Sequence, residues 1–480
     1  MRCLASLFIA AIFLAPGLAA ADSQISPYVV IERCKGGCMI HGGLDDARAK
    51  SSSLPCAGVP VCGGGGCLCQ AGSSGDYVIE EFQNAAGQTG AAADDEWNAI
   101  LNCIRELYSP YGVIVSETPP AGGLSFNLGI AAGRPENIGY SSNQIAGIAP
   151  GTPGCDPREN VISFSFANIY RGPRRVQDIC ETIAQETAHA YGLDHAFEFS
   201  DGRSACTDPM TYRTDCGGQK FFRNDLAKCG EFGSRPCACG GFQNSHQRLI
   251  SIFGPGTPIT APPTLNVSSP TSGGTITNGS AILATAAAQR GIAKLELWLN
   301  DYRWLTVKGA PFGPEGQPET TYPLVLPQTV PDGVIDIVVK AFDDINVETD
   351  SPVITVTKGQ PCTSADSCAK GQQCEAGKCF WATPTGQVGD SCDYPQFCES
   401  ELCLDTTDGM YCSQSCVVGV VDSCPTGFTC EGAAGETGSC VREAVESGCC
   451  SASDDSRSAA LLSFGVLGAL VARPRRRRRR

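Results

Sequence analysis

The chain has 480 residues, enough for several domains that each bury a core of their own. Its 50 Asp and Glu outnumber 35 Lys and Arg, and the net charge of −15 argues against nucleic acid as a partner. Of the 29 cysteines, 14 lie between Cys34 and Cys239 and 12 between Cys362 and Cys440, with none in the gap, so even-numbered blocks point to disulfides made in an oxidising compartment rather than to zinc ribbons.

Residues 1–21 carry Arg2, an apolar run and an Ala19-Ala-Ala21 end, the pattern of a secretory signal peptide. Residues 22–75 are rich in Gly and Cys with little periodicity and read as a disulfide-held leading segment. A first domain is expected over 76–253. Within it, Glu96–Leu107 has helical spacing, Tyr111–Ser116 reads as the strand that follows, and Val161–Asn168 as an edge strand beside a cleft. Val176–Ala184, with Pro173 just ahead of it, is spaced as an amphipathic helix.

That helix runs into Gln185-Glu-Thr-Ala-His189-Ala-Tyr-Gly192-Leu-Asp-His195, followed by Asp208-Pro-Met210-Thr-Tyr212. Positions 185 and 189 are four apart and share one helix face, so they can hold one ion together. Glu186 sits beside them, placed to act on a water. Gly192 can take the left-handed conformation that ends a helix and returns the chain toward His195.

These residues resemble the H-E-x-x-H-x-x-G-x-x-H signature and Met-turn of the metzincin zinc metallopeptidases. The resemblance implies Zn²⁺ as cofactor and a protein or peptide as substrate. It implies Glu186 as general base, His189 and His195 as ligands, Met210 as the floor of the site and Tyr212 as a ligand or transition-state donor. It departs at the first ligand, where Gln185 offers a neutral amide oxygen in place of an imidazole. Three outcomes stay open: weak zinc held with Gln185, a substitute ligand from His41 or His246, or an inactive site whose cleft serves as a binding groove.

Gly254–Pro258 and Ala261–Pro263 mark a linker. Over 258–358, Ala281–Thr285, Lys294–Leu299, Gly333–Ala341 and Pro352–Thr357 read as short alternating strands between turn signals, a β-sandwich. Leu295–Asp301 and Val339–Asp343 resemble bacterial immunoglobulin-like domains, which implies a spacer or a binding module. Residues 362–441 are Cys-dense, with a five-residue gap recurring at Cys362/Cys368, Cys392/Cys398 and Cys424/Cys430. Over 448–480, Cys449-Cys450, an apolar run Ala459–Ala472 and a terminal arginine cluster resemble the myxobacterial sorting signal called MYXO-CTERM. That implies attachment to the outer membrane or cell envelope. The expectation is therefore a multidomain exported protein: an α+β metzincin-like domain, an all-β immunoglobulin-like sandwich and small disulfide-rich modules.

Overall fold

A computed structural model describes residues 25–55, 61–63, 66–68, 75–141, 145–152, 155–309, 319–407, 409–418, 423–432 and 437–443. The expected signal peptide, 1–21, and sorting signal, 448–480, lie outside the described residues. The fold is multidomain and mostly β, with few helices and many small disulfide-closed modules. Among the described residues no helix is long and apolar enough to cross a membrane. The chain divides into two compact units, Met1–Trp381 and Ala382–Arg480.

The first domain is built on a five-stranded sheet ordered Ile114–Ser116, Tyr28–Glu32, Asn127–Ala131, Ile162–Ser165 and Gly147–Ile148. The first four run parallel and the last is antiparallel. Central parallel strands are covered on both faces and read as unbroken apolar runs. Asn127–Ala131 is buried at every position, as is Ile162–Ser165. Two sequence expectations are corrected here. The 22–75 segment is no leader, because Tyr28–Glu32 is an inner strand of this sheet, so a boundary at 76 would cut through the core. Ile162–Ser165 is not the edge strand, because Gly147–Ile148 pairs outside it.

Two helices pack on the sheet, α1 (Asp94–Tyr108) and α2 (Arg175–His189). Asp94, Asp95 and Glu96 fill the first turn of α1, where carboxylates offset the helix dipole. Its stripe of Trp97, Ile100, Leu101, Ile104 and Leu107 is fully buried. The Cys103–Cys180 disulfide ties α1 to α2, and Arg175 at the start of α2 donates to Glu96 at 2.7 Å and to the Ala167 carbonyl at 2.8 Å. Helix α2 is thus fixed in place by covalent and charge-assisted contacts. A third helix, α3 (Ser245–Phe253), closes the domain, N-capped by the Asn244 side chain.

The next region is a sandwich of two antiparallel sheets. One holds Thr264–Ser269, Ala281–Ala287 and Thr320–Val325; the other holds Tyr302–Lys308, Lys294–Leu299, Gly333–Phe342 and Glu348–Asp350, with Ile354–Lys358 also pairing the long strand. Alternation along Gly333–Phe342 sends Ile335, Ile337, Val339 and Ala341 inward against Leu295, Leu297, Ile282 and Leu324. Arg290 joins this sandwich to the first domain: it donates to Asp344 at 2.7 Å and to the Phe222 carbonyl at 3.1 Å, lying over the Phe221 ring.

Three small modules share one disulfide pattern, first to third and second to fourth cysteine: Cys362–Cys374 with Cys368–Cys379, Cys392–Cys403 with Cys398–Cys412, and Cys416–Cys430 with Cys424–Cys440. The third repeat therefore begins at Cys416, so Cys424/Cys430 is not equivalent to Cys362/Cys368. The first module belongs with the sandwich, since Val334 N–H donates to Gly377 at 2.9 Å and Asn300 to Cys379 O at 3.0 Å. The compact unit accordingly ends at Trp381 rather than before Cys362.

Candidate functional site

The last turn of α2 delivers His189, and Gly192 then takes φ 80° to reverse the chain. A Cβ at Gly192 would lie 2.8 Å from an Arg248 guanidinium nitrogen and 2.9 Å from the Cys155 carbonyl oxygen, so both space and conformation require glycine. The turn returns His195, and the two Nε2 atoms come to 3.1 Å with the rings nearly perpendicular. His189 Nδ1 faces the Leu193 carbonyl at 2.7 Å and His195 Nδ1 faces Glu231 Oε1 at 3.0 Å. Both partners are acceptors only, so each Nδ1 carries a proton and each ring turns its Nε2 toward the other.

Two lone pairs 3.1 Å apart repel unless a proton or a cation sits between them. Tetrahedral zinc with bonds near 2.05 Å holds two imidazole nitrogens about 3.3 Å apart, close to this separation. Burial, reinforced by neighbouring His195, lowers the His189 pKa to about 4 and keeps it neutral, as a metal ligand must be.

One turn earlier on α2, Gln185 is buried, and its side chain makes no hydrogen bond among the described residues. Glu186 is 6% exposed, also without a hydrogen-bond partner among them, and burial pushes its carboxyl up to about 8. The edge strand makes room for it. A Cβ at Gly147 would stand 2.6 Å from Glu186 Cγ and 2.7 Å from its Oε1, so only glycine allows the carboxyl this close to the strand. Gln185 and Glu186 line a cavity of ≈ 480 Å³ shared with Gly147, Tyr170, Tyr212 and Phe232.

Below the histidines the chain turns at Asp208–Thr211. Asp208 accepts from the Met210 N–H at 2.9 Å and the Arg223 N–H at 3.0 Å, while burial raises its pKa to about 6. Met210 is fully buried, and its carbonyl accepts from Ala196 N–H at 2.8 Å, tying the turn to the residue after His195. Tyr212 lies with its ring centroid 4.4 Å from that of His195. Burial first, then the charges of Glu186 and Glu231, raise its hydroxyl to about 12, which keeps it a neutral phenol able to donate.

The structure brings His189, His195 and Tyr212 together, places Gln185 and Glu186 in the cavity that Tyr212 also lines, and buries Met210 in the turn leading to Tyr212. The two spare histidines are not part of this group. His41 is exposed on the strand Cys38–Gly42 and paired with Asp76 at 2.7 Å, and His246 on α3 bonds Tyr111 Oη at 3.1 Å. Neither supplies the missing ligand. Two site residues carry no sequence signal of their own. Gly147 is one of many glycines, and Glu231 lies 36 residues after His195 inside a hairpin closed by Cys229–Cys237. Burial works to raise Glu231, but hydrogen bonds from Arg235 and His195 outweigh it and hold its pKa at about 2. Asp194, His195 and Glu231 sit close enough to suggest a second ion site. Arg235 already fills that space, at 2.6 Å from Asp194 and 2.8 Å from Glu231. The Cys237/Cys239 pair is no zinc knuckle either, since the two are oxidised to Cys229 and Cys155.

No family model matches the chain, and no curated protein matches it. Among solved structures it is similar to fibronectin(III)-like modules of Clostridium thermocellum CbhA, at 18% identity over 20% of this chain and 94% of that one. The TM-score of that match is 0.15, too low to carry an argument.

Proposed function

We propose that the chain is an exported metal-dependent endopeptidase of metzincin type that acts on extracellular protein. One observation carries the reading: two imidazoles present facing Nε2 atoms at 3.1 Å, each with its Nδ1 already committed to an acceptor. That arrangement suits a divalent cation, with His189 and His195 as principal ligands. Gln185 on the same helix face is a weak third, and Tyr212 stands beside them. A zinc ion bound there supplies Lewis-acid polarisation of a peptide carbonyl. Glu186 stands as the general base: in its ionised form it takes a proton from water and returns it to the leaving amine. Tyr212, held as a phenol, donates to developing negative charge. The cavity beside Glu186 receives a substrate side chain.

A second reading is favoured by one residue. Gln185, in place of an imidazole, weakens the donor set, and a chain that binds no metal would use the cleft as a surface-binding groove. Zinc stoichiometry of the purified, disulfide-intact protein, beside its Gln185→His variant, separates the two. Near one zinc per parent chain and peptide hydrolysis that disappears in Glu186→Gln supports the enzyme. Metal taken up only by Gln185→His supports the binding protein. The exported location rests on the signal peptide, the sorting-signal resemblance and the abundance of disulfides.

A further inference from the structure

The hairpin Cys229–Cys237 is held far more firmly than a surface loop needs to be. Its strands exchange backbone hydrogen bonds between Cys229 and Arg235 at 2.9 and 2.7 Å, and the disulfide closes it one step beyond. The next cysteine, Cys239, is bonded to Cys155. At its turn Gly230 has φ 140°, and a Cβ there would fall 1.8 Å from the Gly233 carbonyl oxygen, so the loop admits no other residue.

All of this rigidity converges on one residue of the neighbouring segment. Gly230 N–H donates to the His195 carbonyl at 2.8 Å, and Glu231 Oε1 faces His195 Nδ1 at 3.0 Å. Arg235 grips the same Glu231 oxygen at 2.8 Å and both oxygens of Asp194 at 2.6 and 2.8 Å. Asp194 in turn accepts from the His195 N–H at 2.7 Å. The histidine is therefore fixed at its backbone N–H, its carbonyl and its ring by one hairpin. His189 uses a backbone carbonyl for the same purpose, whereas His195 has a charged partner.

We propose that Glu231 is the positioning residue of His195, delivered by the disulfide-closed hairpin so that the ring is held with Nδ1 on the carboxylate and Nε2 aimed at the Nε2 of His189. The proposal rests on the metal-site reading above but makes its own claim about the ring. A carboxylate accepting from Nδ1 selects the tautomer in which Nε2 is the free donor, and it raises the basicity of that nitrogen. Loss of the partner leaves the ring free to rotate or to carry its proton on Nε2.

The test uses the full-length, disulfide-intact protein with ¹⁵N-labelled histidine, stripped of metal, as parent, Glu231→Ala and Glu231→Gln. Nitrogen–proton correlation spectra read the His195 tautomer, and titration with cobalt(II) alone reads affinity through its visible absorption. The expected result is a His195 protonated at Nδ1 in the parent and shifted toward the Nε2–H form in Glu231→Ala. Cobalt affinity falls about 10–100-fold in that variant, with partial recovery in Glu231→Gln, whose amide oxygen can still accept. If the parent binds cobalt and Glu231→Ala changes neither tautomer nor affinity, the positioning role is overturned while the metal site stands. If the parent binds no cobalt yet the tautomer still follows Glu231, the metal-site reading fails and the positioning role is upheld. An unchanged tautomer in a parent that binds no metal overturns both.

Discussion

Substituting Glu186 by Gln changes how the metal-free protein responds to pH. The folded carboxyl titrates near 8 because burial disfavours its charge, against an ordinary value of 4.5. Between those values the folded state holds a proton that the unfolded chain has released, so folding stability falls as pH rises. The contribution is fully present below about pH 4.5 and is lost through pH 8, at 1.36 kcal/mol per unit, which amounts to about 5 kcal/mol in all. Glutamine has nearly the same shape and no proton to lose, so the variant should escape that decline. Urea denaturation of both proteins after chelation, at pH 5, 7 and 8.5, measures the difference, with amide exchange along α2 as a local readout. The gap in stability between variant and parent should widen by about 3 kcal/mol from pH 5 to pH 7 and reach its full size by pH 8.5. Parallel pH profiles would refute the reasoning, because they would show that Glu186 reaches water or a partner and does not sit desolvated against the edge strand.

Further outcomes follow from the packing around the site. Gly147→Ala must push the Glu186 carboxyl by about an ångström to restore normal contact, so peptide turnover should fall about 100-fold with metal content unchanged, read by kcat and metal analysis on one preparation. Removing the Cys103–Cys180 bond as a double Ser variant frees a loop of 77 residues and should destabilise the first domain by about 4.5 kcal/mol, seen in its Tm. Arg290→Ala removes one of the two guanidinium groups beside Asp344, leaving Arg223 at 3.5 Å, and should cost about 2–3 kcal/mol, measured by denaturation of the full chain.

How much of this was readable beforehand follows from where the information lies. The α2 face and its return were legible because helical periodicity places 185, 186 and 189 together, and Gly192 marks the reversal. The sandwich was legible because Lys294–Leu299 and Gly333–Phe342 alternate or nearly do, one face in and one out. Tyr28–Glu32 escapes such reading because an inner parallel strand is apolar on both sides and sits in Gly- and Cys-rich surroundings. Gly147–Ile148 is two residues long and has no period at all. Glu231 becomes part of the site only through pairing of Ala196–Phe199 with Ala227–Cys229, a contact that no local pattern encodes. Cysteine counts indicate disulfides, but the crossed pairing within each module is set by the fold and not by cysteine spacing.

That crossed pairing has a mechanical side. Tension entering the first module at Cys362 crosses the bridge to Cys374, and only the few residues from there to Cys379 remain to straighten, at about 3.5 Å each. The corresponding segments in the other modules, Cys403 to Cys412 and Cys430 to Cys440, are about twice as long. Each module thus behaves as a link of limited extension. A pull along the chain can lengthen a link only by that segment while its bridges hold, so the rest of the link is kept from being drawn out for a passing protease.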